Sequence, residues 1–151
     1  MSYTSAKSRP TYTFDALLEF KDAGLVASSA AAQVDSAAKV VDVGTGFFKG
    51  DLVIDVTAIE VASGNEGYKI AIEGSDNSGF SSGTEVELQS IKVGDSSVTG
   101  GDTDDTTGRY VLPFTNRSVD GTCYRYLRVY TTVEGTIATG INYSAFAAIG
   151  A

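Results

Sequence analysis

The segment 51–61, DLVIDVTAIEV, limits the fold more than any other stretch of this chain. Its even positions Leu52, Ile54, Val56 and Ala58 are all apolar, while its odd positions mix Asp55 and Thr57 with Val53 and Ile59. Successive strand side chains point to opposite faces, so this pattern predicts a long strand with one core face and one partly polar face. The same rhythm returns along the chain. Val40, Val41 and Val43 precede Gly44 and Gly46, and Phe47 and Phe48 precede Gly50. After ASGNEG (62–67), read as a hairpin-type loop, Tyr68, Ile70 and Ile72 alternate with Lys69 and Glu73. A turn-rich loop around Phe80 follows, then a strand over Val86, Leu88 and Ile91. The last strands are predicted at 109–115, 123–133 and 139–147. Seven or eight strands, with turns about every 8–12 residues, predict an all-β fold, an antiparallel β-sandwich or jelly roll. No amphipathic helix alternates with the strands, which argues against a parallel α/β sheet.

The remaining segments are less regular. Residues 1–13 are polar but carry Tyr3 and Tyr12, with Phe14 following, and read as an extended N-terminal arm. A free tail gains nothing from aromatics, so the arm docks either on its own domain or on a neighbouring subunit. Residues 14–151 then form a single sandwich domain, and 151 residues suit one domain. The stretch 15–24 is open between a short helix, N-capped by Asp15 and ended by Gly24, and an irregular or strand segment; the alternation of Leu18 and Phe20 favours the latter. The Ala- and Ser-rich stretch 25–38 is low in relief, and its small side chains suit close approach of another backbone, or simply a loop. A long polar loop is expected over 93–108.

Charge and composition narrow the function classes. The net charge of −8 repels phosphate backbones and anionic lipid, so no nucleic-acid or membrane partner is expected. Histidine is absent and Cys123 is the single cysteine, which removes Ser–His–Asp and Cys–His catalysis, histidine-ligated metal and any internal disulfide. Cys123 opens an alternating strand and is expected to be a buried small hydrophobe. Residues 1–9 are polar with no apolar run after them, so no secretory leader is expected, and synthesis in the cytoplasm follows. No stretch approaches the ~20 apolar residues of a membrane-spanning helix.

Candidate chemistry is sparse. Asp102, Asp104 and Asp105 resemble the opening of a calcium loop but lack the closing bidentate glutamate. Asp76 and Asn77 belong to a turn by composition. Gly44, Gly46 and Gly50 lack the Gly-Lys-Ser/Thr ending of a phosphate loop. Asp51 and Asp55 share a strand face about 13 Å apart by the strand rise, too far for a glycosidase pair. No catalytic residue, cofactor or metal is expected, and the chain is read as a non-enzyme.

Tyr124, Tyr126, Arg128 and Tyr130 differ from these, since alternation places them on one face of a strand. Such a face stacks on sugar rings, forms a subunit interface, or lines the inside of the sandwich with its hydroxyls at the rim. Leu127, Val129 and Val133 form the alternate, core face.

The runs TGRYVLPFTNR and TCYRYLRVYTTVEGTIATGINYSAF resemble the C-terminal signature of the small capsid cement, or decoration, proteins of tailed bacteriophages. GDLVIDVTAIEVASGNEGYKIAIEGSDNSGF resembles that family's central strands, and YTFDALLEFKDAGLVASSAAAQV its N-terminal segment. The resemblance spans 13–147 and is one of texture rather than of a catalytic motif. It implies a jelly-roll or related sandwich on the outer capsid surface of a virion. It also implies a homo-oligomer, dimer or trimer, that bridges major capsid protein subunits and resists the pressure of packaged DNA. Tyr3, Tyr12, Phe14, Tyr124, Tyr126, Arg128 and Tyr130 are then the expected capsid or subunit contacts. The other expectation is a carbohydrate-binding or receptor-binding sandwich module of a phage particle.

Overall fold

The computed structural model describes residues 12–95, 97 and 107–149. Tyr3 and the Asp102, Asp104 and Asp105 cluster lie outside the described residues. A 3-10 turn at Ala16–Leu18 is capped by Asp15, whose Oδ1 accepts from Leu17 N. It leads into β1 (Glu19–Lys21). Short pieces follow: β2 (Leu25–Val26), β3 (Ala30–Ala31), β4 (Gln33–Val34), β5 (Ala37–Ala38) and β6 (Val41–Asp42). The long strands are β7 (Lys49–Ile59), β8 (Gly67–Ser75), β9 (Val86–Gly94), β10 (Gly108–Thr115), β11 (Tyr126–Glu134) and β12 (Ile141–Ala148).

The fold is all-β, as the alternation predicts. One antiparallel sheet runs β1-β12-β7-β10, with β2 also on β12. The other runs β3-β11-β8-β9, with β6 also on β11. The sheets pack face to face as a β-sandwich around Leu52, Ile54, Val56, Tyr68, Ile70, Ile72, Leu127, Val129, Ile141 and Tyr143. Pairing is nested along the chain. β8 pairs β9, β7 pairs β10, β3 and β6 pair β11, and β1 pairs β12. A long two-stranded ribbon is thus wound over itself, and β12 on β7 and β11 on β8 close the winding.

This winding corrects the 62–67 loop. It is no hairpin, because β7 and β8 lie in opposite sheets and the loop arches between them. The long strand at 86–94 explains a spacing that plain alternation does not. Val86 and Leu88 are two apart, but Ile91 follows Leu88 by three. The register against β8 slips between Ile72↔Gln89 and Glu73↔Glu87, a bulge that returns Ile91 to the core side. Val93, expected in the polar loop, instead ends β9 on the core at 1% exposure. Within residues 25–38, where close approach of another backbone or a loop was expected, β2 pairs with β12 and β3 with β11, while β4 and β5 pair with each other. Their small side chains suit this close approach.

Strand direction sets two ends. The loops 60–66 and 135–140 lie at one end, called here the glutamate end. The loops 43–48, 76–85 and 116–125, with Ile149, lie at the other, the asparagine end. β7 opens at the asparagine end, where Lys49 pairs with Thr115 of β10, and β12 closes there, where Ala148 pairs with Asp51.

Candidate interaction surface

The predicted four-residue ladder divides in two. β11 starts at Tyr126, not at Cys123, because residues 116–125 are held as a loop. Tyr126, Arg128 and Tyr130 face outward, opposite Ser75, Glu73 and Ala71 of β8, while Leu127 and Val129 are buried inside. The reading that put this face inside the sandwich is therefore corrected. Tyr124 lies on the other side of the sheet. A Cβ placed on Gly74 would come 2.8 Å from Tyr124 Cβ and 3.0 Å from Leu88 Cδ1, so the core-side glycine makes room for the tyrosine. Cys123 is half-buried and bridges to Arg117 rather than sitting in the core.

The outward ladder is already occupied by its own chain. Arg128 Nε donates to Glu73 Oε1 at 2.8 Å, and both side chains are under 20% exposed. The guanidinium carbon lies 4.5 Å from the ring centre of Phe80 and 5.1 Å from that of Tyr130. Phe80 is 6% exposed and takes a left-handed backbone, φ 48°, at the tip of the β8–β9 loop, which folds it over the arginine. Arg125 makes a two-pronged pair with Asp42 at 3.0 and 2.9 Å and stacks 5.3 Å from Tyr126. That pair holds the Asp42 carboxyl below its usual range, with Gly44 N–H adding to the effect. Stacked and paired this way, these cations gain little by meeting a ligand.

The second predicted group, Tyr12 and Phe14, sits on the outer face of the β1-β12-β7-β10 sheet. Phe14 packs edge-on against Phe146 at 5.5 Å, and Phe146 also faces Arg109, itself paired with Asp55 at 2.7 and 2.9 Å. Phe14, at the start of the domain, is thus packed on its own sheet. Phe14 remains 54% exposed.

The residue that the sequence reading missed is Asn116. It is fully buried. Its Oδ1 accepts from Phe48 N at 2.8 Å, and its Nδ2 donates to Gly46 O at 2.8 Å and to Tyr124 O at 3.0 Å. Its own N–H donates to Phe48 O, and its carbonyl accepts from Tyr124 N. One amide thus ties the 43–48 loop to both arms of the 116–125 loop. A buried Asn in a turn-rich run leaves no periodic signal, so only its surroundings in space reveal it.

Around this knot the side chains point outward. Phe47 is 56% exposed and Val119 110%. Arg117 lies over Phe47, 5.3 Å from its ring centre. Among the described arginines, Arg109, Arg125 and Arg128 each meet a carboxylate; Arg117 meets none. The Val119 turn is closed from within: Asp120 accepts from the Ser118 hydroxyl and from Thr122 N, and Gly121 N donates to Ser118 O. The Ser118 hydroxyl, more than any other neighbour, holds the Asp120 carboxyl below its usual range.

A cleft of about 390 Å³ lies along residues 21–33. Its buried cation, Lys21, donates to the carbonyls of Asp22, Gly24 and Tyr143 at 3.1, 2.9 and 2.7 Å. Burial draws its pKa down, and Asp22 opposes this. With all three donors committed, Lys21 bridges the gap between β1 and β2 on the edge of β12 rather than serving the cleft. No family model matches this chain, and no curated protein is significantly similar to it in sequence.

Proposed function

We propose that this chain is a structural capsid cement protein. It binds the outer surface of a tailed-phage capsid, bridges major capsid protein subunits and stabilises the shell. In this reading it acts as a homo-oligomer on the virion and catalyses nothing. The observation that carries the proposal is the asparagine end, where a buried amide holds two loops and presents Phe47, Arg117 and Val119 to solvent. Preorganised apolar contacts with an unpaired cation beside them suit a protein surface. The nested strand pairing supports the jelly-roll winding that the cement resemblance implies, since the main path of each five-stranded sheet has four strands, eight in all, as in that fold's layout. A glycan-binding role gains no such support, because Tyr126, Arg128 and Tyr130 are tied to Arg125, Glu73 and Phe80.

The test is direct. Purified protein is mixed with DNA-free shells of the major capsid protein encoded in the same genome, and the shells are sedimented. Saturable decoration and a higher shell melting temperature are expected. Shells that pellet bare at every protein concentration would reject the proposal. Oligomers need only modest affinity per copy, because several copies engage at once.

A further inference from the structure

We infer that residues 2–8 of the N-terminal arm lie antiparallel along the free side of β10 in the same copy and close that edge of the sheet. The inference does not depend on the cement reading. β10 is the last strand of its sheet, and among the described residues no strand pairs with its other side. Such an edge offers a row of backbone groups to an extended segment that reaches it. Two bonds show which groups face out. Asn116 N, just past β10, donates to Phe48 O, just before β7. Bonded pairs alternate in an antiparallel ladder, so Phe114, Leu112 and Tyr110 also turn towards β7, and Arg109, Val111, Pro113 and Thr115 turn away. The Pro113 carbonyl agrees, since it accepts from Gln89 Nε2 of β9 in the other sheet at 3.4 Å. Proline is tolerated there because its missing N–H falls on the edge side.

The chain itself leads the arm to this edge. Phe14 packs on Phe146 of β12. Tyr12, two residues earlier and half-buried, lies within electrostatic reach of Arg109, near the start of β10. Followed backwards, the chain heads from β12 over β7 towards that start. Pro10 then interrupts any regular strand. Before it, SYTSAKS (2–8) holds no Gly or Pro, and its seven residues match the seven of 109–115. Since its C-terminal end arrives at Arg109, it runs antiparallel to β10. Charge agrees, because residues 1–11 carry Lys7 and Arg9 and no carboxylate, in a chain of net charge −8. The edge of a second copy is the competing site. A segment tethered by Arg9, Pro10 and Thr11 alone meets its own edge at high effective concentration, which favours closure within the copy.

The experiment is amide hydrogen exchange of the full chain, followed by NMR. Residues 3–8, Arg109 and Val111 should contain amides that exchange at least about tenfold more slowly than in an unstructured chain. Val111→Pro removes an outward N–H and no bond to β7, so it should release residues 3–8 while Leu52 and Leu127 stay protected. The double variant Thr4→Pro, Ser5→Pro removes one N–H from each side of the arm segment and should unprotect Arg109 and Val111. Fast exchange throughout residues 3–8 of the wild type would overturn the inference. Arm protection that survives Val111→Pro, or β10 protection that survives the double variant, places the arm elsewhere and also overturns it. Protection that disappears when the chain is diluted until it sediments as a monomer assigns the arm to a second copy's edge, which overturns closure within the copy. Shell binding is read separately, so none of these outcomes decides the cement proposal.

Discussion

The two ends of the sandwich are built by the same device and finish with opposite surfaces. At the glutamate end, Glu60 accepts from Ala138, Thr139 and Gly140 N–H groups at 3.0, 2.6 and 2.8 Å. Buried Glu66 accepts from Ser63 and Asn65 N–H groups at 2.9 and 3.0 Å. At the asparagine end, Asn116 organises the loops. A carboxylate only accepts, so Glu60 can gather N–H groups of the 135–140 loop and Glu66 those of its own turn, but neither can bind a carbonyl. A carboxamide donates as well, so Asn116 joins an N–H of one loop to carbonyls of both. That link frees the side chains beside it, Phe47, Arg117 and Val119, to face outward. One end is therefore sealed and polar, and the other is rigid but open.

Breaking the sealed end should have the largest effect. Gly140 has φ +98°, and a Cβ there would lie 2.1 Å from Val26 O. Gly140→Ala should cost about 4 kcal/mol in urea unfolding, from strain and the pushed-back β2 edge. A loss under about 1 kcal/mol would mean that this close approach is not rigid. At the open end, Asn116→Asp keeps the shape but sets a carboxylate against the carbonyls of Gly46 and Tyr124. A cost of about 3 kcal/mol is expected; wild-type stability would deny the amide its donor role. The outward ladder supplies the third test. Arg128→Ala should cost about 2 kcal/mol and expose Phe80, because Glu73 is left partly buried without its partner. Increased protease cleavage in the 76–85 loop is the expected companion. An unchanged melting curve would return Arg128 to the set of surface contacts.

The smallest effect is a pH dependence. The Thr139 and Gly140 N–H groups hold the Glu60 carboxyl below its ordinary 4.5. A depressed carboxyl contributes stability that is present above its unfolded value and is lost as pH falls through the lower folded value. Acid should therefore loosen the 135–140 loop, and Glu60→Gln should flatten the fall in urea midpoint between neutral and acid pH. An unaltered slope would assign the acid sensitivity to other carboxylates. Alkali acts in the opposite sense on Tyr68, whose pKa is pushed up to about 12 by burial, with Glu60 and Glu66 adding to it. Its share of stability is present below its ordinary 10 and is lost as pH rises through the raised value.

Much of the fold could be read in advance where one face of a strand is buried. Leu52, Ile54 and Val56, or Leu127 and Val129, announce themselves because burial imposes a period of two. The ladder was half legible. Tyr126, Arg128 and Tyr130 do share a face, but alternation gave no sign that the chain leaves the strand before Tyr126 and turns Tyr124 to the other side. It also could not show that Phe80, some 46–50 residues earlier, closes over Arg128.

The amino-acid sequence by itself determined the all-β class, the antiparallel pairing and most core positions, because local side-chain alternation and glycine turns carry that information. Only the tertiary structure decided which loops arch between sheets, which aromatics are spent on their own chain, and which remain open. Those outcomes depend on contacts between segments far apart in sequence. Asn116 is the clearest case: a loop asparagine by composition, and in space the bond between two loops that sets Phe47, Arg117 and Val119 in place.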